Sequence, residues 1–377
     1  MPGIHNRALD ALLKRGRLRS LQPRRGIDFA SNDYLGLAQS EALSAAVRAA
    51  LDRGIPVGSG GSRLLRGNHA EHEALEAEAA HFFRAETALY FGGGFIANTA
   101  IFSTLPARGD LIVYDALIHA SAHEGMRLSK AECTSAHHND PQSFSDAIRT
   151  WRANGGTGTP WIAVESLYSM DGDRAPLDDL IAIADAHDGV LVIDEAHATG
   201  VFGDGGRGFG CHLEGRNNVI SLHTCGKALG AMGALVLSPR IYRDFLVNRA
   251  RAFIYATAPS PVIASAVRAA LQIVEREPER RAKLHARIAL AGSELAGRTR
   301  HLPSGSQIQP IIVGSDARAV ALADTLREQG YDIRAIRPPT VPEGSARLRL
   351  TITLNTGDAE LKDLISAIAA AEAGLPA

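Results

Sequence analysis

The stretch from Gly189 to Gly230 constrains the fold most strongly, because it contains two apolar runs that each end abruptly in polar residues. The runs cover residues 190–193 and 219–222. Strands that are apolar throughout are typical of a parallel sheet covered on both faces. In such sheets ligands bind outside the carboxyl ends of the strands. We therefore expect one crevice to hold the polar residues that follow the runs, namely Asp194, Glu195, His197, His223, Thr224 and Lys227.

An acid, an imidazole and an amine in one crevice are the groups that pyridoxal phosphate (PLP) chemistry needs. In PLP enzymes a lysine forms a Schiff base with the cofactor, and a carboxylate pairs with the pyridinium nitrogen. Of the five lysines in the chain, Lys227 alone follows a buried-strand pattern, and it lies among the small residues between Gly226 and Gly230. Lys227 and Asp194 therefore predict a PLP site.

Other interpretations of this stretch compete. Residues 194–197 spell Asp-Glu-Ala-His, the box of a helicase family, but that box requires a GxxxxGK[ST] phosphate loop, which the sequence lacks. The GxGxxG pattern from Gly203 to Gly208 does not follow a strand, so we predict a loop there rather than a dinucleotide site. An ordinary strand-end acid and a surface lysine would explain Asp194 or Lys227 singly, but not the two together.

Composition excludes several classes of protein. A length of 377 residues predicts two to three domains, and a hydrophobic fraction of 45% suits a large core. A net charge of −1 and the lack of an apolar run of ~18 residues argue against nucleic-acid and membrane partners. The three cysteines are odd in number and form no CxxC pair, so we expect no disulfide framework and no metal site. With no signal-peptide pattern, these features predict a cytoplasmic protein.

Strand and helix patterns alternate through the middle of the chain, which predicts an α/β fold with a mostly parallel central sheet. After about residue 261 the pattern changes to long helices and a few strands, as in a smaller α+β domain. We predict an N-terminal helix and strand segment over residues 1–36, a large PLP-binding domain over 37–260 and a small C-terminal domain over 261–377. A basic stretch from Asn6 to Ser20 is expected to form a solvated helix, which Asp10 favours over the alternative of a transit peptide.

Three further features carry two interpretations each. The glycine turn Gly92–Gly94 joins a strand to a helix, either as a plain joint or as an anion site for the cofactor phosphate. His119 and His123 are four residues apart, but without a third ligand at zinc spacing a stacked or hydrogen-bonded imidazole is favoured. Arg347 and Arg349 share one face of a predicted strand, which suits a solvated basic face and a ligand-binding pair equally.

Nine short stretches of the chain match a known family of enzymes. They are SNDYLGL (31–37), GSGGSR (58–63), GGF (93–95), HAS (119–121), HND (138–140), SMDGD (169–173), DEAHATG (194–200), GKALG (226–230) and IRPPTVPEGSARLRLT (336–351). On these stretches the chain resembles the α-oxoamine synthases, a family of fold-type I PLP-dependent transferases, from roughly Arg7 to the C-terminus. Several of the stretches are shared by the whole family. The stretch 336–351 is similar to the branch that serves biotin synthesis and separates it from the 2-amino-3-ketobutyrate and 5-aminolevulinate branches.

The resemblance implies a role for each matching position. It implies that Lys227 carries the cofactor and that Asp194 pairs with the pyridinium nitrogen. It also implies that His119 stacks on the ring, and that His197 and Ser169 lie near the phenolic oxygen. The catalytic set is thus Lys227, His119, Asp194 and His197. The phosphate side is implied to involve Gly94, Phe95, Thr224 and, from a neighbouring subunit, Thr257. The substrate side is implied to involve Arg19, Asn32, Thr340 and Arg349, with Arg349 binding the amino-acid carboxylate.

The resemblance also implies an activity and an assembly. The branch that the chain resembles condenses L-alanine with a pimeloyl thioester of coenzyme A or acyl carrier protein, and carbon dioxide is lost. Lys227 would act as the general base, and His119 and His197 would orient or protonate intermediates. A homodimer with shared active sites is implied. The alternatives are a family member that uses glycine, such as the 2-amino-3-ketobutyrate enzyme, and a non-catalytic subunit, which typically lacks the lysine present here.

Overall fold

The computed structural model describes residues 3–374, which divide into two compact units. The larger unit contains residues 35–169 and 174–281. The smaller unit contains the described residues up to Tyr34, residues 170–173 and the described residues from Ala282 onward. This division differs from the predicted domain boundary at residue 260, because residues 261–281 belong to the larger unit.

Helices and strands alternate along most of the larger unit. The elements of both units are numbered here in chain order. The helices are α1 (Gly3–Lys14), α2 (Glu41–Asp52), α3 (Ala70–Phe83), α4 (Gly94–Thr104), α5 (Ala120–Leu128), α6 (Pro141–Ala153), α7 (Leu177–Ala186), α8 (Arg240–Arg249), α9 (Arg251–Ile254), α10 (Pro261–Arg276), α11 (Pro278–Arg298), α12 (Asp316–Glu328) and α13 (Asp358–Gly374). The strands are β1 (Ile27–Asp28), β2 (Thr87–Phe91), β3 (Leu111–Asp115), β4 (Glu132–Ala136), β5 (Pro160–Glu165), β6 (Val190–Asp194), β7 (Val219–Thr224), β8 (Ala234–Ser238), β9 (Ile308–Gly314), β10 (Tyr331–Asp332), β11 (Ala335–Ile336) and β12 (Ala346–Thr351).

A seven-stranded sheet forms the centre of the larger unit, with the strand order β2-β8-β7-β6-β5-β3-β4. Strand β8 is antiparallel to both of its neighbours, and the strands from β7 to β4 pair in parallel. Every residue of β6 and β7 is buried, as their apolar runs predict. The prediction of a mostly parallel α/β sheet is therefore confirmed.

Helices cover this sheet on both faces, because alternate residues of each strand enter different cores. Val190 and Val192 pack with residues of α4, α5, α8 and α9. Leu191 and Ile193 pack with residues of α6 and α7. This two-sided burial explains why the strands read as continuous apolar runs rather than as alternating ones.

In the smaller unit, β12 lies between β9 and β11 in an antiparallel sheet, and β1 pairs with β10 in parallel. Helix α12 packs on this sheet and against α13, which confirms the α+β prediction. The basic N-terminal helix ends at Lys14 rather than at Ser20. Gly16, two residues beyond this end, takes a left-handed φ of 65°. None of the residues of this helix is buried. Across residues 3–374, no helix combines the length and the apolar character needed to cross a bilayer.

Candidate active site

The polar residues of the central stretch lie at the carboxyl edge of the parallel strands. Strands β5, β6 and β7 are adjacent in the sheet and end at Glu165, Asp194 and Thr224. Glu165 and Asp194 are register partners across the β5–β6 pair. The edge therefore places acidic side chains from two neighbouring strands next to each other, and the turn after β7 carries Lys227.

Asp194 is held in one orientation by hydrogen bonds to both of its carboxylate oxygens. Asn98 Nδ2 donates to Oδ2 over 2.8 Å, and the backbone nitrogen of Ala196 donates to Oδ1 over 2.9 Å. The residue is 8% exposed. Because two donors face the carboxylate, the ionised form is satisfied at this buried position, as a partner for a ring N–H requires.

His119 caps the start of α5 and is held as a neutral imidazole. Its Nδ1 accepts the backbone N–H of Ser121 over 3.2 Å and lies 2.7 Å from Ser121 Oγ, which assigns the ring proton to Nε2. Burial lowers the pKa of His119, the nearby Asp194 carboxylate opposes this shift, and the Lys227 ammonium adds to it. Because Asp194 and Lys227 both act on the pKa of His119, the three side chains lie close together in the structure.

Lys227 lies in the turn that follows β7 and is half-buried. Its positive charge acts on two groups, since it lowers the pKa of His119 and also pulls down the raised pKa of Glu165. An amine in this position faces an imidazole and two carboxyl groups. The predicted combination of acid, imidazole and amine is thus found at one edge of one sheet.

The glycine turn provides a helix N-terminus beside Thr224. Helix α4 begins at Gly94, and its N-cap is Gly93, which makes no side-chain capping bond to the first N–H groups. A Cβ atom on Gly94 would lie 2.7 Å from Thr224 Cγ2, so only glycine fits this approach. Uncapped N–H groups at a helix start favour an anion, and the cofactor phosphate fits this place. Phe95 follows and is 54% exposed.

Ser169 and His197 lie on the loops that leave β5 and β6, and both are buried. The backbone N–H of Ser169 donates to Glu165 Oε2 over 3.2 Å. Thr224 Oγ1 donates to the backbone oxygen of Ala196 over 3.4 Å, which links the loop after β6 to the end of β7. These positions surround the same strand ends as Asp194.

Thr257 differs from the other predicted cofactor residues because it is exposed. It lies after α9, in a segment that is tied to the Gly58–Gly61 stretch. The Ala258 N–H donates to Gly61 O over 2.9 Å, and Ser59 Oγ donates to Pro259 O over 2.6 Å.

The smaller unit brings the four predicted substrate-side residues together in two pairs. Arg349 Nη1 donates to Asn32 Oδ1 and to Thr351 Oγ1, each over 2.9 Å, and Arg349 is 7% exposed. Arg19 Nη2 donates to Thr340 Oγ1 over 3.3 Å at the surface. Arg347 is also buried and bonded to Asp171. The solvated-face interpretation of Arg347 and Arg349 is therefore wrong.

The sequence interpretation missed three residues of this site. Asn98 and Ser121 support Asp194 and His119, and Asn98 Nδ2 also donates to Ser121 Oγ over 2.9 Å. The available signal was an amide within the otherwise apolar helix GFIANTAIF. Glu165 was missed although it ends an apolar strand in the same way as Asp194 does.

The glycine pattern from Gly203 to Gly208 is confirmed as a loop with one short 3₁₀ turn. The N–H groups of Phe209 and Gly210, just beyond it, donate to the buried carboxylate of Glu195, which also accepts a bond from Ser166 Oγ. Glu195, the second residue of the Asp-Glu-Ala-His box, therefore holds this loop in place through hydrogen bonds.

Comparison with known proteins shows the family to which the chain belongs. The family model for aminotransferase class I and II matches residues 24–368. An 8-amino-7-oxononanoate synthase from Chromobacterium violaceum is 44% identical over 327 residues, which cover 87% of this chain and 84% of that protein. The structure of an 8-amino-7-oxononanoate synthase from Francisella tularensis matches with a TM-score of 0.77 and 30% identity, over 92% of this chain and 97% of that one.

A serine palmitoyltransferase from S. paucimobilis with bound PLP and myriocin shares the fold, with a TM-score of 0.88 and 23% identity over 99% of this chain and 97% of that one. The chain therefore belongs to the class I and II aminotransferase family and is a PLP-dependent enzyme. Within that family it is a member of the 8-amino-7-oxononanoate synthases, which are acyltransferases of the α-oxoamine synthase type.

Proposed function

We propose that this enzyme condenses L-alanine with a pimeloyl thioester to give 8-amino-7-oxononanoate, carbon dioxide and the free thiol of the carrier. The observation that carries the proposal is the grouping of Lys227, Asp194 and His119 at one sheet edge, with Asp194 fixed by two donors. The names of relatives at 38–44% identity over most of the chain support these substrates.

The proposed roles follow from the positions of the side chains. Bound PLP supplies an electron sink for the carbanion that forms at the alanine Cα. Lys227 Nζ takes the α-proton, since a half-buried amine at this sheet edge, beside a neutral imidazole, is placed to act as a base. Asp194, whose two oxygens each accept one hydrogen bond, would accept the N–H of the pyridine ring when PLP is bound. His119 keeps its proton on Nε2 and presents a neutral donor, because burial lowers its pKa.

The proposed phosphate contacts are the N–H groups at the start of α4, from Gly94 and Phe95, together with Thr224. Ser169 and His197 are proposed to contact the phenolic oxygen of the cofactor. Arg349 is proposed to bind the carboxylate of the amino acid, because it is a buried positive charge that Asn32 and Thr351 hold in place.

For the acyl donor we propose a contact with the pair formed by Arg19 and Thr340. Both side chains are exposed and lie 3.3 Å apart. Arg19 also lines a cavity of about 420 Å³ with Arg15, Arg17, Glu343 and the apolar residues Leu12 and Val341. Glu343 is paired with Arg17, so Arg15 and Arg19 carry the remaining positive charge of the lining, which suits an acyl chain that carries negative charge.

We also propose a homodimer whose sites are shared through Thr257. Large apolar side chains are exposed in the segments near Thr257, with Leu65 84% and Tyr255 72% exposed. Exposed apolar side chains grouped in this way are typical of a protein interface. Mixing Lys227→Ala subunits with Thr257→Arg subunits should recover activity that neither has alone. A mixture that forms dimers and stays inactive would show that the sites are not shared.

A cytoplasmic location is proposed for the protein. Its three cysteines are all free thiols in the structure, and Cys133 is exposed, which suits a reducing compartment. Fractionation of the source cells with a specific antibody would test this location.

The decisive experiment is mass spectrometry of the product formed from purified enzyme, L-alanine and pimeloyl-CoA. The expected product is 8-amino-7-oxononanoate, and Lys227→Ala protein serves as the control that forms none. Parallel reactions with glycine and serine should be far slower. If glycine were the best amino acid, the proposed substrate would be wrong. Exchange of the alanine α-proton with deuterium should be strongly slowed in Asp194→Asn, whereas exchange at the wild-type rate would contradict the role of Asp194.

A further inference from the structure

Glu165 is a second acid at the strand edge that the proposed mechanism leaves without a role. It ends β5, directly opposite Asp194 in the β5–β6 register, and is 2% exposed. Its Oε2 accepts the backbone N–H of Ser169 over 3.2 Å. Its Oε1 has no hydrogen-bond partner within residues 3–374.

The acids around Glu165 are much better supplied with donors. Asp194 has a donor on each oxygen. Glu195 accepts three hydrogen bonds, from Ser166 Oγ and from two backbone N–H groups. Because a buried carboxylate needs donors or a cation to offset the loss of water, Glu165 is the acid at this edge least able to carry a charge.

The charged groups that face Glu165 come from each neighbouring strand. Asp194 on β6 and Asp115 on β3 are negative, and Asp115 is bound to His138 Nδ1 over 2.8 Å. Lys227, after β7, is the positive group. Burial raises the pKa of Glu165 well above its usual range, Asp194 and Asp115 raise it further, and Lys227 only partly opposes them.

We propose that Glu165 is a neutral carboxylic acid in the working enzyme, and that it acts as a positioning residue for Ser169 while Asp194 alone carries the negative charge beside Lys227. The inference rests on the proposed roles of Asp194, Ser169 and Lys227. A second negative charge here would stabilise the protonated amine, which is the form that cannot act as a base. A neutral acid keeps an acceptor oxygen for Ser169 without that effect.

Infrared spectroscopy of the protein without cofactor tests the protonation state directly. The carbonyl stretch of a protonated carboxyl group should be present in the wild type at neutral pH and absent in Glu165→Gln. The exposed acid Glu132 on β4 gives a matched control, since Glu132→Gln should keep the band. In Asp194→Asn the band should disappear at lower pH than in the wild type, because the like charge has been removed. A wild type without the band, or an Asp194→Asn protein in which the band titrates unchanged, would overturn the proposal.

The PLP-loaded protein gives the second readout. The pH midpoint of its visible absorbance should move by less than about 0.3 unit in Glu165→Gln, because glutamine replaces one neutral group with another. A shift of more than about one unit would show that Glu165 carries a charge, and the proposal would fail. Glu165→Ala, which removes the acceptor of the Ser169 N–H, should bind PLP about 5–10-fold more weakly. Unchanged PLP affinity in Glu165→Ala would refute the positioning role. None of these readouts depends on which amino acid or thioester the enzyme uses.

Discussion

Asn98 Nδ2 lies 2.8 Å from Asp194 Oδ2, and this contact ties the proposed pyridinium partner to α4, the helix that starts at the proposed phosphate site. Gly94 and Asn98 are both on α4 and four residues apart, which corresponds to about 6 Å along the helix axis. One rigid helix therefore sets the spacing between the anion-binding N–H groups and the proposed ring-nitrogen acceptor. Lys227, in the turn after β7, and His119, at the start of α5, approach Asp194 from other elements at the sheet edge.

Replacing Asn98 with alanine should slow the reaction without removing the cofactor. Asp194 would lose one of its two donors, and hydrogen bonds to charged groups contribute about 1.5–3 kcal/mol. We expect kcat to fall by about 10–100-fold, with PLP still bound. Steady-state kinetics and the visible absorbance of the purified variant measure the two effects.

The next residue on the same helix provides the control for Asn98→Ala. Thr99 Oγ1 donates to Phe95 O over 2.8 Å, within the helix itself. Thr99→Ala should therefore keep nearly full kcat. Equal losses in both variants would mean that the helix, rather than the Asp194 contact, is responsible.

Lys227→Arg should abolish turnover although it keeps a positive charge at the site. A guanidinium does not form the covalent link to an aldehyde and stays protonated near neutral pH, so neither the attachment nor the base remains. Borohydride should fix PLP to the wild-type chain but not to this variant, as peptide mass spectrometry would show. Lys130→Arg, on the surface, should behave as the wild type. Measurable turnover by Lys227→Arg would contradict the assignment of the base.

The central strands could be predicted from the sequence because an all-apolar run leaves few alternatives to burial on both faces. The same reasoning predicted a role for Asp194, which directly follows one such run, and for Lys227, which lies in the turn after the next strand. Asn98 could not be found in this way, because its partner Asp194 is 96 residues away and only the packing of α4 on the sheet joins them. The periodicity of the sequence predicts which residues share a face of a helix or strand, but it does not predict which other element packs against that face.

Arg347 shows the same limit. Its spacing from Arg349 correctly predicts that the two residues share a face of β12. The spacing does not predict that Arg347 is buried and paired with Asp171, which is 176 residues away. Residues 261–281, which follow the predicted boundary at residue 260, cluster with the larger unit for a related reason. Helix α10 packs against α2 and α3, and contacts of that kind leave no local signal in the sequence.

His72 should make the protein sensitive to acid. Its Nδ1 accepts the His69 N–H over 3.2 Å and its Nε2 lies 2.8 Å from Pro259 O, so the neutral ring satisfies both partners. Burial lowers the pKa of His72 below the ordinary 6.5. The unfolded chain therefore binds the proton more readily, and the stabilising contribution present above pH 6.5 is lost as the pH falls through the folded pKa.

Urea unfolding at about pH 7.5 and about pH 5.5 measures this contribution. The denaturation midpoint of the wild type should fall on acidification, and it should fall less in His72→Gln. His81→Gln, exposed on the same helix, should keep the wild-type difference. If His72→Gln lost as much stability in acid as the wild type does, another group would be responsible.

Asp171→Ala should be among the most destabilising single changes in the smaller unit. Arg347 is 3% exposed, and its Nη1 lies 2.5 Å from Asp171 Oδ1. Arg347 also donates to the backbone oxygens of Ser345 and Met170. Removing the acid leaves a buried charge without its partner, which costs about 3 kcal/mol. The double variant Asp171→Ala/Arg347→Met should recover part of the loss, since it removes both charges from the interior. Denaturant midpoints of the cofactor-free proteins test this order.

Glu343→Ala, which removes an exposed partner of Arg17, should have a smaller effect than Asp171→Ala. A double variant less stable than Asp171→Ala would show that Arg347 contributes mainly through its contacts with backbone oxygens.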